Sequence, residues 1–344
     1  MMRRFWFIPL TLLILVVVMA GIGIRMSRRV REATPDTGEI LVDIPQGYSY
    51  AGGATGRHLD ITPDGKNIVY VGESRTGPPR LYVQAIGKAP FSELAGTDFA
   101  ADPSVSRDSR YVAFYANQKI KRAALDGSGV SVIGDSPPIR GIAWLDEETL
   151  ILGPIRGSLL RMSVQTGTTA PLWEFMGPSL AHLHPNVLPG NKGVLFTLAE
   201  GPLSHARIGV LSLKDGKEHL LLEENAYAPA YSPTGHIVFA HGPHRELMAV
   251  PLDLDRLEVI GSPQPAGPSA VSGQGTGGST DYAFSSTGTL IYTTPHEDSI
   301  DDVLATMGGL DLTQIHVVPN WFGSIARRAA TSTVFLGESL RSYP

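Results

Sequence analysis

One strand–turn–strand unit recurs six times along this 344-residue chain, and no other feature restricts the fold so tightly. A repeat at a fixed period dictates stacked or radial architectures, so it is read before single elements. The clearest copy runs from Leu59 to Val71, with Pro63, Asp64 and Gly65 at its turn. Proline presets φ for the first corner, aspartate accepts local backbone N–H groups, and glycine takes the corner that needs freedom. β-branched and aromatic residues follow, as a strand prefers. The other copies turn at Arg107-Asp108-Ser109, Asp146-Glu147-Glu148, Pro189-Gly190-Asn191, Pro233-Thr234-Gly235 and Ser286-Thr287-Gly288. Successive turns lie 44, 39, 43, 44 and 53 residues apart.

Most copies continue into a third strand. Leu81–Ile86, Lys121–Leu125, Ile208–Leu213 and Leu247–Leu252 fill that place, and a short outer strand is expected after each. Four strands in roughly 43 residues make one propeller blade. The expected fold is therefore all-β, a six-bladed propeller over residues 37–322. A β-sandwich with similar turns is the competing reading, and the steady period argues against it. Composition agrees, because charged residues are only 18 % while Gly (38) and Pro (26) are abundant, which suits short strands and tight turns. The long last step coincides with the Gly/Ser-rich stretch 267–280, read as a loop inserted before the sixth blade. Two free strands, Glu39–Ile44 and Gln314–Val318, compete to close the ring.

Ahead of the repeats, Phe5 to Ile24 is an uncharged run of 20 residues, flanked by Arg3 and Arg4 and then by Arg25, Arg28, Arg29 and Arg31. As a helix it spans roughly 30 Å, one bilayer core. Residues 1–36 read as a retained membrane anchor with its basic flank. A cleaved signal peptide ending at Val18-Met19-Ala20 and a buried helix are the alternatives. The arginine count leans towards a cytoplasmic propeller. The chain has no cysteine, which excludes disulfides and thiolate chemistry. Its net charge of −5 argues against nucleic acid as a partner.

These turns resemble the TolB-type, WD-repeat-like propellers of bacteria. The chain is also similar to the propeller sensor regions behind the kinase domain of some bacterial membrane serine/threonine kinases. The resemblance rests on Gly56-Arg57-His58-Leu59 with Pro63-Asp64-Gly65, and on Leu195-Phe196-Thr197. It also rests on Pro233-Thr234-Gly235-His236 with Val250 to Leu257, and on Thr313 to Val318 followed by Asn320-Trp321-Phe322. It covers about residues 40 to 322. The chain departs from that pattern by lacking every kinase motif, by having fewer repeats after Tyr292, and by its tail at 323–344, read as poorly ordered. A stand-alone sensor paralogue and a remnant of a larger gene both fit. The resemblance implies a propeller on the outer side of the bacterial inner membrane, against the arginine count.

No complete catalytic motif is present. Gly-x-Ser-x-Gly, His-Glu-x-x-His and a P-loop are all absent. Asp253 and Asp255 are too few for a calcium loop. Two histidine pairs are the remaining metal candidates: His182 and His184, two apart and expected on one strand face, and His241 and His244, flanking a turn. Ordinary strand and loop histidines are the competing reading. Trp144, Trp173 and Trp321 read as packing, and Asp298, Asp301 and Asp302 as a solvated loop. The glycines and prolines singled out (Pro63, Gly65, Pro189, Gly190, Pro233, Gly235, Gly288) serve the turns. The resulting expectation is a membrane-anchored binding or sensor module that is not an enzyme, has no cofactor, and takes a protein or small-molecule ligand. An enzyme working at the mouth of the central channel is the alternative.

Overall fold

The computed structural model describes residues 40–42, 48–50, 57–74, 77–88, 90–173, 180–200, 205–223, 225–267, 280–294, 314–319 and 321. All fall in the compact unit Ile40–Pro344. The expected anchor at Phe5 to Ile24 and the tail at 323–344 lie outside the described residues, as do Asp298, Asp301, Asp302 and most of the loop 267–280. Among the described residues no helix is long and apolar enough to cross a membrane.

The strands form six antiparallel sheets, one per repeat. Strand β1 (Ile40–Val42) comes first and is set aside by the chain for the end. Blade 1 comprises β2 (Tyr48–Tyr50), β3 (Leu59–Ile61), β4 (Asn67–Ser74), β5 (Arg80–Ala85) and β6 (Phe91–Glu93). Both β2 and β3 lie along β4, with Tyr48 opposite Ser74 and Leu59 opposite Tyr70. Blade 2 is β7 (Ala101–Val105), β8 (Tyr111–Ala116), β9 (Lys119–Ala124) and β10 (Val130–Asp135). Blade 3 is β11 (Ile139–Asp146), β12 (Thr149–Pro154), β13 (Leu160–Ser163) and β14 (Thr169–Pro171). Blade 4 is β15 (Ala181–Val187), β16 (Gly193–Ala199), β17 (Arg207–Ser212) and β18 (Glu218–Leu222). Blade 5 is β19 (Ala226–Ser232), β20 (His236–His241) and β21 (Glu246–Asp253), edged by the short β22 (Glu258–Val259) and β23 (Gln264–Pro265). Blade 6 is β24 (Tyr282–Phe284), β25 (Leu290–Thr294) and β26 (Gln314–Val318), with β1 as its outermost strand. The two strands that competed to close the ring therefore both close it, with Ile40 opposite Val317 and Val317 opposite Ile291.

Each of the six sequence repeats is the innermost strand of a blade and the strand that follows it. In the first turn Asp64 accepts hydrogen bonds from Thr62 Oγ1 (2.6 Å) and Lys66 N (3.1 Å), while Gly65 takes φ 72°. Asp108 accepts the same pair of bonds from Ser106 and Arg110. A hydroxyl before the turn closes it from the other side, since Thr62, Ser106 and Ser285 accept backbone N–H groups from Asn67, Tyr111 and Thr289.

Side-chain alternation places the core between blades rather than within them. Along β4, Ile68 and Tyr70 pack towards blade 6 with Ile291 and Val317, while Val69 and Val71 pack towards blade 2 with Val112 and Phe114. Strand β16 is buried along its whole length, with Val194, Phe196 and Leu198 towards blade 3 and Leu195 towards blade 5. Strands covered on both faces read as continuous apolar runs. There is one such hydrophobic cluster at each of the six blade junctions. The innermost strands touch in a closed circuit, β3–β7–β11–β15–β19–β24–β3.

Candidate functional site: the axial channel

Aligning the six turns places one residue per blade, five before the turn, on the innermost strand or immediately before it. These residues are His58, Asp102, Gly141, His184, Ala228 and Asp281. In blades 2 to 5 the ladder shifts register here. At the same place φ is positive: 51° at Asp102, 102° at Gly141, 52° at His184 and 52° at Ala228. Such bulges break strand alternation and re-aim a side chain. For a residue other than glycine the left-handed backbone costs about 1–3 kcal/mol, held by the surrounding structure. Gly141 has no room for a side chain, because a Cβ there would lie 2.9 Å from Pro185 Cδ and 3.0 Å from His184 Cα.

Three of these residues interlock around blade 1. Asp281 accepts the backbone N–H of His58 at 2.8 Å, and the same oxygen lies 3.6 Å from His58 Nδ1. Asp102 accepts the N–H of Arg57 at 3.1 Å and donates its own N–H to Arg57 O at 3.0 Å. Burial works against a charged His58, but the hydrogen bond and charge of Asp281, then the charge of Asp102, outweigh it and raise its pKa above the ordinary histidine value. Burial pushes Asp102 up, opposed by the Arg57 N–H and by the positive charges of His58, Arg57 and Arg140.

His184 is handled differently. Its Nδ1 lies 3.1 Å from Thr197 Oγ1, which already accepts the N–H of Ala228 at 2.8 Å. The one threonine hydroxyl thus serves both the imidazole of blade 4 and the backbone of blade 5. Burial, then the charges of Arg140 and Arg57, hold His184 neutral with its pKa pushed down to about 3. His184 Nε2, Arg140 Nη1 and Thr280 Oγ1 are buried atoms with no hydrogen-bond partner among the described residues. All three belong to the axial position or to the residue before it.

Towards the turns the channel widens into a cavity of about 690 Å³ to which all six blades contribute. Its wall includes Asp60, Ser104, Ala143, Asn186, Ala230 and Ala283, each two residues nearer the turn than the axial position. Asp60 and Asn186 also stitch neighbouring blades, accepting the N–H groups of Val105 (2.8 Å) and Tyr231 (3.0 Å). Across the rim, Arg107 of blade 2 reaches Asn191 of blade 4 at 2.8 Å.

The histidine pairs do not assemble. His182 and His184 were expected on one face, and the bulge between Leu183 and Asn186 sends them to opposite faces. His182 lies against Trp173 and Phe196, 3.0 Å from Gly157 O and 3.6 Å from Glu218, whereas His184 bonds Thr197. His241 stacks edge-on against Phe239 and His244 is exposed. No group of three His, Asp or Glu side chains that could hold a metal occurs among the described residues. Asp253 caps its own turn by accepting the N–H groups of Asp255 and Arg256, and Asp255 pairs with Lys192. Trp144 and Trp321 pack as expected, donating to Ser104 O and Ala266 O. Sequence reasoning missed His58, Asp102 and Asp281. The signal available was their shared place in the repeat, visible once the copies are aligned on their turns.

The molecule is thus a six-bladed propeller with a polar channel floor and a wider cavity on the turn side. Solved structures similar to it include TolB from Acinetobacter baumannii, 20 % identical with a TM-score of 0.48 over 58 % of this chain and 51 % of that one. The chain therefore spans about half the length of that TolB. Hydrazine synthase from Kuenenia stuttgartiensis matches over 80 % of this chain and 90 % of that one, at 10 % identity and a TM-score of 0.51. The gluconolactonase XC5397 from Xanthomonas campestris matches over 57 % and 70 %, at 14 % identity and a TM-score of 0.47. No family model and no curated protein matches the chain. In fold this is a six-bladed β-propeller. The expectation that the chain is not an enzyme is corrected here: the propeller fold is shared with enzymes, hydrazine synthase among the structures above, so the architecture does not separate it from them.

Proposed function

We propose that the chain is a ligand-binding propeller of the bacterial envelope, held at the inner membrane by its N-terminal segment and receiving its ligand in the axial channel. The observation that carries the reading is the cavity of about 690 Å³ walled by every blade. Its size is that of a small-molecule site, and a cavity built from six rigid strands is largely preformed. The uncharged run from Phe5 to Ile24 supports the membrane part. The test is a thermal-shift screen of small metabolites against the full chain in detergent. A parallel screen uses Ser286→Trp, which places an indole at the exposed rim of the cavity. Ligands that raise the melting temperature of the first protein and not of the second support the reading; stabilisers that ignore the rim variant sink it. Alkaline phosphatase fused after Pro344 tests the side of the membrane, since it is active only outside.

A second reading, a reaction in the channel, is favoured by the buried pair His58 and Asp281, an imidazole and a carboxylate 3.6 Å apart that a small closing movement would bring within proton-transfer reach. Turnover of lactone or ester substrates that disappears in His58→Asn while the fold persists would establish it.

A further inference from the structure

The cavity on the turn side has a definite chemical character. Two guanidinium groups line it, Arg57 and Arg107, against one carboxylate, Asp60. Asp60 is already engaged: one oxygen accepts Val105 N at 2.8 Å and lies 3.9 Å from Arg57 Nη2. Among the described residues the Arg57 guanidinium has one further contact, 3.5 Å from Nη2 to Pro103 O, and Arg107 is held at the rim by Asn191. Guanidinium forks so placed match a planar oxyanion with two parallel bonds. The wall between them is apolar and partly aromatic. Trp144, Tyr231 and Phe284 occupy one repeat position in blades 3, 5 and 6, two residues before the turn, and all three border the cavity. Trp144 has its indole N–H committed to Ser104 O, so it offers the cavity no donor. These three rings and the aliphatic side chains of Ile61, Val105 and Val187 at the same position of the other blades fit the faces of a flat apolar body.

We propose that this cavity binds a small organic monoanion: a carboxylate carried on a flat, apolar ring system, with the carboxylate at Arg57 and the ring among Trp144, Tyr231 and Phe284. The inference rests on the reading of the channel as a ligand site and adds the class of ligand. The deeper floor is compatible with such a guest, because the open donor of Arg140 also calls for an acceptor.

Calorimetry on the full chain in detergent, blanked against empty micelles, tests this with 1-naphthoate and its uncharged analogue 1-naphthamide. The carboxylate is expected to bind about tenfold more tightly than the amide, the margin of one charge-assisted hydrogen bond. Arg57→Met should erase that margin, Arg57→Lys should keep part of it, and Ser286→Trp should abolish binding of both compounds. Melting temperatures of the variants confirm that each is folded. Equal affinity for the two compounds, both blocked by Ser286→Trp, would overturn the anion inference and leave the channel reading standing. Binding of neither compound, or binding that survives the rim variant, would overturn the inference and count against the channel itself.

Discussion

On the side of blades 6, 1 and 2 the channel floor holds Asp281, His58 and Asp102; on the side of blades 3, 4 and 5 it holds Gly141, His184 and Ala228. The first group satisfies itself. Its two carboxylates accept the consecutive N–H groups of Arg57 and His58, and one of them lies against the His58 ring. The second group is held by shape. Gly141 admits Pro185 and the backbone of His184, Thr197 fixes the imidazole, and Nε2 is left without a hydrogen-bond partner among the described residues. One backbone place, repeated six times, thus serves as a strut in one half of the ring and leaves a polar atom open in the other. A repeat fixes where a side chain stands and leaves its chemistry to each copy.

The contrast can be broken most forcefully at Asp281. Asp281→Ala removes the acceptor of a buried N–H and the partner of His58, and is expected to cost about 3 kcal/mol in urea unfolding. Asp281→Asn, which keeps an acceptor, should recover a good part of it. The opposite half should fail through volume instead. Gly141→Ala meets Pro185 and His184 at 3.0 Å or less and adds strain at φ 102°, so a loss of about 2 kcal/mol is expected by the same assay.

A pH series sharpens the comparison by sign. His58 has a raised pKa in the folded protein, so its contribution is complete below about 6.5 and fades as pH rises through the folded value. His184 has a lowered one. Between about 6.5 and about 3 the unfolded chain binds a proton that the folded chain refuses, so stability falls as pH falls. One such group contributes a slope of at most about 1.4 kcal/mol per pH unit. Unfolding of His58→Asn and His184→Asn, each compared with wild type from pH 4 to 9, should show differences that run in opposite directions. Parallel differences would dissolve the distinction between the two halves. The smallest effect is expected at Ala228, a non-glycine residue at φ 52°. Ala228→Gly should stabilise by under about 1 kcal/mol in the same unfolding assay, where a glycine-for-alanine change in ordinary strand would destabilise.

The sequence disclosed the blades because their signal is local. Asp64 and Gly65, or Asp108 and Ser109, make the turn from neighbours a few residues away, and the alternating apolar residues after them announce the strand. The channel floor is not local. His58, Asp102 and Asp281 belong to three copies, and no spacing along the chain records that they meet. His184 drew notice for its distance from His182, yet the bulge separates the two and gives His184 its role through Thr197 and Ala228. Strand β1 was legible only as one of two candidates to close the ring, since three residues acquire the outermost place only from the curvature of the completed ring.

The pairing of Ile40–Val42 with Gln314–Val318 sets an order of events in time. Translation releases the N-terminal strand first, and its partner only after the other five blades have left the ribosome. Through that interval β1 is a bare edge carrying the exposed apolar Leu41, and the apolar face of blade 1 at Ile68 and Tyr70 waits uncovered for Ile291 and Val317. Contacts between the distant ends of a chain are the slow ones to form. The last clasp to shut is thus written at both ends of the domain, and a nascent chain halted before Val318 exposes that seam to any other chain that meets it.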